Sequence, residues 1–306
     1  KLKPTALCFL FGIVMSCSSL VSAAENGGER SASYLRMGMG GQQVAMGGVG
    51  SAMTGDLPSC TWNPAALTGV RTFQVYTQYS FLTMDRTLGF LSLGNRLEHS
   101  PLSYALSWAY FSAGNDLEFR RGPSLEPLST FSDSEMTFYL SAAYRLSPRC
   151  SLGLNLKIFT HWISEAFGWG LGEDVGVLWR VSKETKLAFT ILDPFSKLRF
   201  QNADNDFIPA TFKVGASRIF WKPQLTASLD MAYSGDLGLE PAGGMEWRPA
   251  SGIALRAGWG NGSLRGGFGI STKSGKVAEE FNYVVQQDRM DSGSILHQVS
   301  LGIRFL

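Results

Sequence analysis

Charge is scarce in this sequence: Asp, Glu, Lys and Arg make up 17 % of 306 residues, against about 25 % in ordinary soluble domains. The few charges nearly cancel, 27 basic to 25 acidic. That argues against nucleic acid as a partner, since such binding needs a basic stripe, and against a charged, disordered chain. Histidine is rarer still: His99, His161 and His297 are the three present, and none has metal-ligand spacing to Cys, Asp or Glu. Long apolar runs are also lacking. After residue 24 nothing approaches the ~20 residues of a membrane-spanning helix, which excludes a multi-span helical protein. What is abundant is glycine, 35 residues, together with 12 % aromatics and 44 % apolar residues. The balance points to a β-rich protein, either soluble or in an outer membrane.

Residues 1–24 read as a secretory signal peptide. Lys1 and Lys3 give a basic start, Thr5 to Met15 an apolar stretch, and Val21-Ser22-Ala23 a small-x-small cleavage site. Val14-Met15-Ser16-Cys17 offers a rival reading, a lipoprotein box with Cys17 as the modified residue. Either way the chain leaves the cytoplasm. Cys60 and Cys150 then remain, and an oxidising compartment permits a bridge between them; two unpaired thiols are the alternative.

From Thr72 to Phe305 the apolar residues recur with a period of two. His297, Val299, Leu301, Ile303 and Phe305 alternate with Gln298, Ser300, Gly302 and Arg304, so the segment has one apolar face and one polar or small face. Fourteen segments of this kind can be drawn: 72–82, 86–95, 101–112, 134–146, 150–162, 170–181, 185–193, 207–220, 223–234, 237–248, 252–260, 264–272, 277–287 and 294–306. Most are near the ~9–11 residues that a tilted strand needs to cross a bilayer.

The connections sort by length. Those at 113–133, 163–169, 194–206 and 288–293 are long, and they alternate with tight turns such as Ser147-Pro148-Arg149 and Ser182-Lys183-Glu184. Short periplasmic turns opposite longer external loops are the pattern of a transmembrane barrel. An even strand count closes the sheet, and closure matters because lipid offers no partner to a free strand edge. The reading is an all-β fold, a closed antiparallel barrel of 14 strands over 72–306. Tryptophans and tyrosines, Trp62 and Trp108 among them, are assigned to its interfacial girdles.

Residues 31–70 break the alternation, within an N-terminal segment drawn at 25–71. Arg36-Met37-Gly38 is followed by Ala45-Met46-Gly47-Gly48, then Asp56, then Trp62-Asn63-Pro64-Ala65-Ala66-Leu67. This opening resembles that of the FadL-like outer-membrane barrels, a group that includes long-chain fatty-acid transporters and PorV/PorQ-like proteins. The resemblance implies that the segment is a hatch inside a 14-stranded barrel, with Asn63, Pro64 and Ala65 as its motif. It implies passive uptake of small hydrophobic molecules, fatty acids foremost, across the outer membrane; the alternative is a PorV/PorQ-like partner of secreted proteins, or a structural surface barrel. Physical chemistry agrees with a compact plug. Glycine permits close backbone approach, Pro64 fixes its own φ and restricts Asn63, and an Asn side chain bonds nearby backbone in turns.

No enzyme or cofactor emerges. The glycine clusters at 38–41 and 47–50 lack the Gly-Lys-Ser/Thr of a phosphate loop. His297 and Ser300, three apart on a strand, face opposite ways. The register sends Lys157, Lys213, Arg256 and Arg304 inward with Asp174 and Asp230. Charges inside a barrel need partners or water. Two readings stay open: an ion-pair lattice that braces wall and hatch, or a ligand carboxylate met by Lys157, Lys213 or Arg256.

Overall fold

The computed structural model describes residues 32–119, 129–200, 205–221, 225–288 and 293–306. The expected leader, Cys17 included, and residues 25–31 of the hatch lie outside the described residues.

The period-two segments form one antiparallel sheet. Its strands are β1 (Gln74–Phe81), β2 (Thr87–Arg96), β3 (Leu102–Phe119), β4 (Ser129–Arg145), β5 (Cys150–Ile163), β6 (Ala166–Arg180), β7 (Thr185–Leu192), β8 (Lys197–Phe200), β9 (Asp206–Phe207), β10 (Thr211–Trp221), β11 (Leu225–Ser234), β12 (Gly238–Ala250), β13 (Ile253–Gly260), β14 (Ser263–Ser274), β15 (Val277–Gln287) and β16 (Ile295–Phe305). β7 pairs directly with β10, so β8 and β9 stand outside the ring, and the other 14 strands close on themselves. Closure is made by β1 against β16, with Val75 opposite Ile303 and Tyr79 opposite Val299. No strand edge of the ring is left for lipid, which could not hydrogen-bond it.

The two faces of each strand have opposite chemistry. On β5, Leu154, Leu156 and Ile158 are 42 %, 51 % and 50 % exposed, whereas Asn155 and Lys157 between them are 0 % and 3 % exposed. The exposed face is the apolar one, so the solvent for which the exterior is built is hydrocarbon. The buried face is polar and looks into the lumen.

Two expected loops are strand over much of their length. Much of 113–133 is strand: β3 runs on to Phe119 and β4 begins at Ser129, with shifts of register at Ser112/Gly114 and Gly114/Leu117. Of 163–169 only Ser164 and Glu165 lie outside strands. Beyond the bilayer both faces of a hairpin meet water, so the alternation stops while backbone pairing continues. The 194–206 connection does leave the ring, but Lys197–Leu171 and Phe200–Gly168 pair it back onto β6.

The lumen is filled by residues 32–70. Two 3-10 segments, Ser33–Met37 and Pro64–Gly69, flank two short α-helices, α1 (Gly41–Ala45) and α2 (Ser59–Trp62). Tyr34, Met39, Met46, Leu57 and Leu67 are fully buried here. Tyr34, Met39, Leu57 and Leu67 pack on an apolar part of the inner wall formed by Tyr76, Leu88, Phe90, Phe111, Tyr139 and Phe159, and Met46 clusters separately with Val49 and Met53. Trp62, assigned above to a girdle, is instead 5 % exposed inside the hatch. Its neighbours in sequence, Asn63 and Pro64, end α2 and begin the 3-10 segment Pro64–Gly69.

Candidate functional site: the hatch and the cavity beside it

Asn63 organises the base of the hatch. Its Oδ1 accepts from Ala65 N–H at 2.9 Å, and Pro64 occupies the first position of the 3-10 segment, where a missing N–H costs nothing. Its Nδ2 donates to Ser51 O at 2.8 Å within the hatch and to Val177 O at 3.2 Å on β6. One side chain thus caps a helix, ties two hatch segments together and anchors both to the wall.

The wall makes room for this motif with glycine. Gly153 on β5 and Gly176 on β6 are register partners. A Cβ on Gly153 would overlap the backbone of Pro64 and Ala65, and one on Gly176 would overlap Asn63 Oδ1. A second pair, Gly244 on β12 and Gly258 on β13, faces the backbone of Met46 in the same way. The hatch is seated between two glycine sockets on different parts of the ring.

Hydrogen bonds fix it there. Asp230 Oδ2 accepts from Gly50 N–H, Ser51 N–H and the Ser51 hydroxyl at 2.9, 2.9 and 2.8 Å. Gly40 N–H donates to Gln78 Oε1 and Gly41 N–H to Tyr76 Oη, both at 2.7 Å. Trp62 Nε1 donates to Met39 O at 2.6 Å. At the end of the barrel where the long connections lie, Ala32 N–H donates to Glu135 at 2.6 Å and Arg36 pairs with Asp236 at 2.8 Å. Bonds to ionised groups are the stronger kind, and three of these wall partners, Asp230, Glu135 and Asp236, are carboxylates.

Of the three inward cations offered as contacts for a ligand carboxylate, two meet carboxylates of the protein itself. Lys157 Nζ lies 2.6 Å from Asp174 and 2.5 Å from Asp193. Arg256 lies 2.7 Å from Glu246 and 3.2 Å from Glu280, with Asn282 at 2.5 Å. Glu280 also accepts from Arg304, so the inner wall of β12 to β16 carries a continuous charge lattice. Lys213 is placed differently. Its Nζ sits 4.9 Å from the centre of the Trp62 ring, within cation–π range, and it forms no salt bridge among the described residues.

Lys213 and Trp62 border a cavity of about 90 Å³ between hatch and wall. Leu35, Met39 and Trp62 supply an apolar side; Lys157, Asp174 and Asp230 supply charge opposite. Asp193 and Ile208, at either end of the connection that carries β8 and β9, lie on its rim. The cavity is smaller than the ~150 Å³ that holds one benzene in a protein core.

Glu246 could have been found from the sequence, because Met245 and Trp247 flank it with outward apolar residues. The part played by Asp193 could not, since it sits in a connection with no period to read. The glycine sockets were equally hidden, because they are made by pairing across strands.

A family model for the type IX secretion system protein PorV matches residues 29–161, the hatch and the first strands of the ring. Among curated proteins none matches the chain in sequence. Solved structures match closely in shape. The toluene transporter TbuX of Ralstonia pickettii superposes with a TM-score of 0.60 at 14 % identity, over 89 % of this chain and 100 % of that one. The toluene transporter TodX of Pseudomonas putida gives 0.62 at 12 % identity, over 87 % and 97 %. A FadL homologue of Pseudomonas aeruginosa gives 0.60 at 11 % identity, over 87 % and 98 %. With its closed ring, greasy exterior and occupied lumen, the chain has the fold of the FadL-like barrels of the bacterial outer membrane.

Proposed function

We propose that the protein is a gated channel for passive uptake of small hydrophobic or amphipathic molecules, with fatty acids as the amphipathic class. The observation that supports this reading is the cavity itself: an apolar hatch surface of Leu35, Met39 and Trp62 beside the one inward candidate cation, Lys213, that forms no salt bridge among the described residues. An acyl chain would lie on the hatch surface with its carboxylate on Lys213, a charge-assisted contact. At about 90 Å³ the cavity falls below the ~300 Å³ of ordinary ligand pockets, so a long chain enters only if the turn Ser33–Met37 moves. The solved toluene transporters of the same shape are consistent with a cargo of this chemistry.

Labelled fatty acids of several chain lengths, titrated onto the purified barrel in detergent, test the proposal. Saturable binding near one per barrel is expected. Absence of binding at every length would overturn it.

The PorV match favours a second reading, a barrel that docks secreted proteins at its external hairpins. β3 and β4, which run on past the bilayer, would form that surface. Recovery of secreted proteins with the tagged barrel from outer membranes, and no lipid in its lumen, would favour this over uptake.

A further inference from the structure

The charge lattice described above covers only part of the inner wall. On β2, β4, β6 and β7 the last inward residues at the short-turn end are Arg96, Arg145, Arg180 and Lys186, with Ser103 and Ser151 at that position on β3 and β5. In β2, β4 and β6 the buried positions alternate down to these residues, so their side chains enter the mouth of the lumen and do not face lipid. Arg71, in the link between hatch and β1, stands in the same field: Arg145 is repelled by Arg180, Arg96 and Arg71 together.

None of the four arginines has a carboxylate partner among the described residues. Each described guanidinium bond goes to a backbone carbonyl. Arg96 donates to Ser100 O at 2.9 Å, Arg145 to Thr68 O at 2.5 Å and Arg180 to Pro148 O at 3.3 Å. Lys186 donates to the Thr54 hydroxyl at 2.6 Å. On the opposite arc, by contrast, Arg248, Arg256 and Arg304 are all answered by Glu246 or Glu280. Arginines gathered without salt-bridge partners raise the local potential and draw anions, and a guanidinium has the planar fork that takes carboxylates in pairs.

From this placement we infer that the periplasmic mouth is a docking site for an extended acidic segment of a periplasmic protein. Arg96, Arg145 and Arg180 lie on every second strand, and strands are ~4.8 Å apart, so the three heads span about 20 Å along the wall. A single small anion reaches one or two of them. An extended peptide at ~3.3 Å per residue reaches all three with about six residues. The inward direction of the side chains sets the site apart from the lipid headgroups around the barrel. Because Arg145 also holds Thr68 O at the foot of the hatch, an acidic segment that engages its guanidinium competes with that bond. The site stands whichever of the two functional readings holds.

The test is fluorescence anisotropy of a fluorescein-labelled hexaglutamate peptide on the full barrel in neutral detergent, with hexaglutamine as reference. The site requires binding at low salt that hexaglutamine lacks, that weakens at least tenfold in 0.5 M NaCl, and that weakens at least tenfold in R96Q/R180Q. That double variant leaves the Arg145 contact to the hatch intact, so a loosened hatch cannot account for the loss. K273Q/K276Q, which removes two exposed cations from the β14–β15 turn at the same end, should change affinity less than twofold. Equal binding of the two peptides, equal loss in both double variants, or full displacement by inorganic phosphate at matched charge would overturn the inference.

Discussion

Gly153 and Gly176 face each other across β5 and β6, and the space their missing side chains leave is occupied by Asn63, Pro64 and Ala65. The Asn-Pro-Ala motif and this glycine pair are one device: a tight turn that needs a wall without side chains. Gly153→Val should therefore force the hatch off its seat. Overpacking of this kind costs about 1–3 kcal/mol, visible as a lower unfolding temperature and faster proteolysis near residue 63. Gly235→Ala, where an added Cβ meets nothing, is the matching control and should be neutral.

Asp230 holds three donors of the hatch through one oxygen. Asp230→Ala leaves the amides of Gly50 and Ser51 and the Ser51 hydroxyl without their acceptor, at about 1–3 kcal/mol for each buried donor that finds no other. Hydrogen exchange should speed up at residues 50 and 51 well before it does in the ring strands.

The two cysteines in the described part of the chain are both free, Cys60 buried and Cys150 half-buried. Burial pushes the Cys60 thiol up to about 11, against smaller lowering by the Ser141 and Ser107 hydroxyls. At pH 8 only on the order of one such thiol in a thousand is ionised, and the thiolate is the reactive form. N-ethylmaleimide at pH 8 should label Cys150 and spare Cys60 until the barrel is unfolded, as read by peptide mapping.

The outer latch of the hatch carries a pH dependence. Burial raises the Asp236 carboxyl, but the hydrogen bonds from Arg36 and Ser234 and the charge of Arg36 outweigh it and hold the group below the usual carboxylate range. A depressed carboxylate stabilises the folded state above its unfolded pKa of ~3.9, and that contribution disappears as pH falls through the lower folded value. The turn Ser33–Met37 should stay docked at pH 5 and loosen only well below pH 4. Limited proteolysis with an acid-active protease across that range measures it, and Arg36→Gln should move the loosening to higher pH.

Much of the ring was legible because hydrocarbon on one side and a wet lumen on the other impose a strict period of two. Leu152, Leu154 and Leu156 could only face out once Asn155 and Lys157 faced in. Legibility ended where that contrast ends. The extension of β3 to Phe119 stands beyond the bilayer, with no face that must be apolar. Asn63 was readable from local chemistry, since its cap on Ala65 spans two residues. Gly176, its seat, is 113 positions away, and only the register of β5 against β6 gives it meaning. The same holds for Lys157: its inward direction follows from alternation, its pairing with Asp193 from a loop that folds back over β6.

On the proposed function, the cavity beside Trp62 receives the cargo. The most direct measurement is a structure of the barrel determined with and without laurate. Laurate is expected against Leu35, Met39 and Trp62 with its carboxylate at Lys213, and the turn Ser33–Met37 displaced to admit it. A lumen unchanged by laurate, with lipid bound only to the outer belt, would contradict it.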